Sequence, residues 1–156
     1  MIKIKTTLGL ALIALLTLTF VSCEKNGNDD PDYVGTWVNE EQEDFFGETV
    51  TVISKLILTK STFEMSVSLD LDILVMQMAG MKGNLSVTGN QITIMPTSVA
   101  MADDEGNLVW VNKGEAGWAD ALDEMDMDET ETGTYRVEGN QLYITVDGSE
   151  DVFTRE

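Results

Sequence analysis

Histidine is absent from the 156 residues, cysteine occurs once, and basic residues number 9 against 28 acidic ones. Without histidine a serine nucleophile has no imidazole base, and no G-x-S-x-G elbow is present to position one. A single thiol permits no disulfide within the chain and, lacking histidine, cannot complete a Cys/His zinc site. The formal charge of −19 excludes nucleic-acid binding by counterion release, and it opposes adsorption to anionic membranes. Paired carboxylates of the kind that hydrolyse glycosides are available in any chain this acidic, so their presence marks no cleft. The chain is expected to be non-enzymatic, and no cofactor is implied.

What is present begins at the N-terminus. Met1 to Lys5 is a short basic region, Leu8 to Phe20 is an apolar run, and Phe20-Val21-Ser22-Cys23 closes it. The run is short for a membrane span and a polar, acidic segment follows at once, which predicts a cleaved signal over 1–22. The ending resembles the lipobox of bacterial lipoproteins, in a relaxed form with Phe20 where leucine is usual. That resemblance implies that Cys23 is the first mature residue and carries acyl chains such as palmitate in the outer membrane. Two or more chains make a stable anchor where one is marginal. Loss of Lys3 and Lys5 leaves 7 basic against 28 acidic residues, a mature charge of −21. Residues 23–32 are polar and turn-forming and read as a lipidated flexible tether. Its Glu24-Lys25 start resembles the segment that exports some lipoproteins of Bacteroidota to the cell surface, and leaves the surface and periplasmic faces both open.

From Tyr33 to Glu156 the dominant period is two, enough chain for one domain with one core. Phe63 to Ile73 alternates apolar and polar without a break, the pattern of a sheet wall with one dry face. Thr49 to Leu58 is rich in β-branched residues, and Thr59-Lys60-Ser61 supplies a turn between the two. An internal repeat extends the meander. Gly83-x-Leu85-x-Val87-x-Gly89-Asn90-Gln91-Ile92-x-Ile94 matches Gly133-x-Tyr135-x-Val137-x-Gly139-Asn140-Gln141-Leu142-x-Ile144, each copy reading as strand, Gly-Asn turn, strand. Asp147-Gly148 marks a further turn, and Asp103 to Asn107 another. About nine strand candidates with short connections favour a closed all-β antiparallel meander over an open sheet. Between Gly114 and Asp128, Trp118, Leu122 and Met125 fall at helical spacing, so a short helix or acidic loop is expected before the last hairpin.

Tyr33-Val34-Gly35-Thr36-Trp37 opens this domain and Phe153-Thr154-Arg155 ends it. The two motifs resemble the opening G-x-W and closing arginine of lipocalins, and the hairpin repeat is similar to that of lipocalin-like lipoproteins of Bacteroidota. The resemblance implies a calycin-type barrel of about eight strands over 33–156. It also implies that Gly35, Trp37 and Arg155 close the barrel, with the arginine over the tryptophan.

Alternation marks Met65, Val67, Leu69, Leu85, Val87, Ile92, Ile94, Trp110 and Tyr135 as inward candidates. Met65, Val67, Leu69, Trp110 and Tyr135 are the expected ligand contacts. Met76, Met78 and Met81 look like the end of a strand with thioethers able to hold Cu(I), or a pliant apolar rim. Asp126 and Asp128 sit in an acidic run that offers hard ligands to calcium, or is simply solvated. Two functions follow: a membrane-anchored lipocalin-like protein binding a small apolar or amphipathic molecule, or a packed barrel whose acidic face docks a basic partner in the cell envelope.

Overall fold

The computed structural model describes residues 30–45, 48–71 and 74–156. The signal, Cys23 and the tether as far as residue 29 lie outside the described residues, as does the end of the alternating run at 72–73. Nine strands and one helix follow in order: β1 Gly35–Phe45, β2 Glu48–Leu58, β3 Thr62–Asp70, β4 Val75–Thr88, β5 Gln91–Ala102, β6 Leu108–Asn112, α1 Trp118–Glu124, β7 Glu131–Glu138, β8 Gln141–Val146 and β9 Ser149–Arg155. Among the described residues no helix is long and apolar enough to cross a membrane.

Every strand pairing is antiparallel, and the order β4-β3-β2-β1-β9-β8-β7-β5 closes through β4–β5. This is an eight-stranded, lipocalin-like barrel with one extra strand, β6, and one short helix. The expected all-β meander is what the chain forms. Its helix, however, precedes the last three strands rather than the final hairpin alone.

The repeat explains much of the closure. Gly89 and Gly139 both adopt φ +62°, the left-handed conformation that a two-residue hairpin turn demands. A β-carbon on Gly83 would lie 2.2 Å from the Met95 carbonyl oxygen, and one on Gly133 would lie 2.4 Å from that of Thr145. Each copy therefore starts where two backbones approach too closely for any side chain. The two copies join directly, with Gln91 to Ile94 of β5 paired to Thr134 to Glu131 of β7. Their turn asparagines play matching parts, because the carbonyl of Asn90 accepts from the Tyr135 N–H and that of Asn140 from the Arg155 N–H.

Two bulges interrupt the register. Met78 is the extra residue on β4 opposite Val67 and Ser68, and Thr97 is the extra residue on β5 opposite Lys82 and Gly83. Each reverses the in-and-out phase of its strand. Beyond Thr97, β5 leaves β7 and pairs with β6 instead, so β6 and β7 share one edge of β5. Likewise β9 pairs with β1 only at Trp37 and Val38, while β1 and β2 remain paired up to Phe45 and Glu48. The barrel thus has a short wall, β7–β9, and a tall wall, β1–β6.

Helix α1 lies against β5 and β6 and contributes buried Trp118 and Leu122 to the core. Its end is a two-bond cap in which Asp126 N–H donates to the Asp123 carbonyl and Met127 N–H to that of Leu122. Asp126 takes φ +52°, the left-handed position usually given to glycine. The turn redirects the chain so that Met127 faces the barrel interior.

Candidate functional site

The two ends of the barrel differ. At the closed end Trp37 is completely buried, and its indole Nε1 donates to the Tyr33 carbonyl at 2.8 Å. The Arg155 guanidinium lies 4.1 Å from the centre of the Trp37 ring and donates to the carbonyls of Val34 and Asp32. Gly35 makes this possible, since a β-carbon there would come within 2.8 Å of Arg155 Nη1. A cation held over a tryptophan face contributes about 0.5 to 2 kcal/mol, so the cluster is a structural closure. Tyr135 belongs to the same end, its ring 5.4 Å from that of Tyr33 in an edge-on arrangement. Burial pushes the Tyr135 hydroxyl above its ordinary pKa.

Towards the short wall the interior is hollow. A cavity of about 240 Å³ opens between the strands. Leu56 and Leu58 of β2 form one side with Phe63 and Met65 of β3, and Met81 of β4 adjoins them. Ile92 and Ile94 of β5, Ile144 and Val146 of β8, and Phe153 of β9 form the other. Met127 reaches in from the segment after α1. Gly133, bare because the Thr145 backbone passes so close, leaves room on β7. Among the described residues, the charged side chains on the wall are Glu131 of β7 and Asp151 of β9. Burial pushes the Glu131 carboxyl above its ordinary pKa; the negative charges of Asp128, Asp147 and Asp126 add to that, against a hydrogen bond from the Asp128 backbone. Neighbouring charge of the same sign disfavours ionisation just as burial does.

Compared with known proteins, the chain matches no protein-family model and has no significant sequence match among curated proteins. The site is therefore read from its own geometry.

Of the five expected ligand contacts, Met65 lines the cavity. Val67 and Leu69 stand further along β3, half-buried on the tall wall, and Tyr135 packs at the closed end; none of the three lines it. Trp110 is a correction. It pairs with buried Ala100 on the face opposite core residue Val99, and its ring lies over Gly80 on the outside of the barrel, with the Lys82 ammonium 4.5 Å away. The phase of β6 cannot be taken from β4 or β5 because the Thr97 bulge intervenes. Met76, Met78 and Met81 lie inside β4 rather than at a strand end, and Met81 is sealed in the core while Met78 occupies the bulge. Among the described residues no three potential metal ligands of the His, Cys, Asp or Glu types come together. Asp126 caps α1 and Asp128 lies beside Glu131, so neither is part of a calcium-holding set.

Glu131, Asp151 and Met127 escaped the sequence reading. A usable signal existed for the first, because the alternation that turns Tyr135 inward also turns Gly133 and Glu131 inward. None existed for Met127, whose direction depends on the cap at Asp126.

Proposed function

We propose that this chain is a non-enzymatic, lipocalin-like lipoprotein, held at the outer membrane by acyl chains on Cys23, that binds a small apolar or amphipathic molecule in its barrel. The observation that carries the ligand reading is the apolar cavity inside a closed barrel. Cavities of about 300–1,000 Å³ suit drug-sized ligands, so one of 240 Å³ suits a smaller molecule, a medium alkyl chain or one or two rings. The docking reading supposed a packed barrel, and the cavity favours the ligand reading over it. Native mass spectrometry of the chain purified from its own host tests the ligand reading. Bound small molecule is expected, and a protein that is always empty argues against it.

The anchor has its own test. Cys23→Ser is expected to abolish incorporation of labelled palmitate while leaving the barrel folded, because every core side chain lies C-terminal to the tether. A chain beginning at Asp32 is expected in the soluble fraction, since its acidic surface offers anionic lipid nothing to hold. Recovery of that shorter chain as a monomer in membrane pellets at moderate salt would show a second membrane-binding surface.

A further inference from the structure

The charge of the cavity wall is of one sign and unanswered. Glu131 and Asp151 stand on strands either side of β8, Asp151 level with Tyr135 and so four residues along β7 from Glu131, and among the described residues neither is in an ion pair with a basic side chain. Every basic residue among the described ones is committed elsewhere. Lys55 pairs with Glu156, Lys60 with Asp30, Lys113 with Glu129, and Arg136 with Glu138 and Glu150. Lys82 sits over Trp110 on the outer face, and Arg155 over Trp37 at the closed end. The other groups acting on Glu131 are all acidic: Asp126 and Asp128 from the segment after α1, and Asp147 from the turn between β8 and β9.

A carboxylate beside apolar surface, without a counter-charge, is held there at a cost in free energy. An arriving cation would offset that cost, form a charge-assisted hydrogen bond with Glu131, and leave its apolar part on the hydrocarbon wall. An anionic amphiphile such as a fatty acid would meet two like charges and no cation. A neutral one would leave the acids as they are.

On the reading of the cavity as a ligand site, we infer that its ligand is a cationic amphiphile, a short apolar body inside the barrel with an ammonium or similar group held by Glu131. The cavity volume sets the scale of that body. At about 30 Å³ per water it matches roughly eight waters, which suits a chain near eight carbons and not a long lipid tail.

The test uses the full chain with phosphatidylcholine nanodiscs and three probes of equal length: octylammonium, octanol and octanoate. Methionine methyl groups labelled with carbon-13 report binding at the cavity itself, because Met65, Met81 and Met127 line it. Octylammonium is expected to bind about fivefold more tightly than octanol, the advantage a partly exposed ion pair supplies, and octanoate more weakly than either. Glu131→Gln is expected to remove the advantage of octylammonium over octanol. Octanol binding as tightly as octylammonium, or octanoate binding as well, would overturn the cationic preference while leaving the cavity as a ligand site. Failure of all three probes to shift the cavity methionines would overturn both.

Discussion

Glu131 shows how the burial of one side chain couples folding to pH. Burial first, and neighbouring acids next, raise its pKa in the folded chain above the unfolded value of about 4.3. Below that value the carboxyl is protonated in both states and contributes no difference. As pH rises the unfolded chain releases the proton first, so the folded state loses relative stability until Glu131 has also ionised. Glu131→Gln is therefore expected to raise the melting temperature at pH 7 and to leave it nearly unchanged at pH 3. Thermal scans of both proteins at the two pH values check this. A variant less stable than the parent at pH 7 would show that the carboxylate has a favourable partner in the folded chain.

Among the secondary-structure elements, the glycines that open the two repeat copies and those that turn them have different jobs. Gly83→Ala and Gly133→Ala would each drive a methyl group into a partner-strand carbonyl, and each is expected to cost about 1–3 kcal/mol in denaturant midpoint experiments. Gly139→Ala meets open space and pays only for the left-handed backbone, about 1–2 kcal/mol. The hairpins were legible because their signals are local: period-two alternation, Gly-Asn pairs with positive φ, and Thr59 to Ser61 between β2 and β3. The closing pair of Trp37 and Arg155 was legible only through the resemblance of its motifs. The bulges at Met78 and Thr97 were not legible, since an extra residue satisfies one strand and is revealed only by its partner. The error at Trp110 follows directly from one of them. The cavity was least legible of all, because a void is the difference between what fourteen positions on seven strands and a loop supply and what they fill.

For the molecule as a whole, a hollow barrel holds stability in reserve. Ile94→Phe, on the cavity wall, adds volume where space exists and is expected to raise stability by about 0.5–2 kcal/mol while weakening octanol binding. Urea unfolding together with the methionine-methyl titration reads both. A loss of stability would show that the site is filled by neighbouring side chains in solution. The acidic surface is separable from this, since the ion pairs of Lys55, Lys60, Lys113 and Arg136 are all exposed and screened by solvent.

The fork at Thr97, where β5 passes from one neighbour to two, divides the molecule in time as well as in space. Among the described residues strand β6 is hydrogen-bonded to β5 alone, and α1 beside it is pinned by buried Trp118 and Leu122. Gln91 to Ile94 instead sit within the closed ring between β4 and β7. Lifting α1 and β6 away breaks none of the ladders that close the ring, so this corner is expected to open as a separate unit. Amides of Val109 to Val111 are expected to take up deuterium well before those of Ile92 and Ile94, in a fluctuation that leaves the barrel intact. Because Met127 follows α1 by three residues, the same excursion is expected to shift the Met127 side of the cavity. On the ligand-site reading, the corner expected to open first also adjoins Met127 of the cavity, so exchange with solvent deuterium and exchange of ligand are expected to keep one clock.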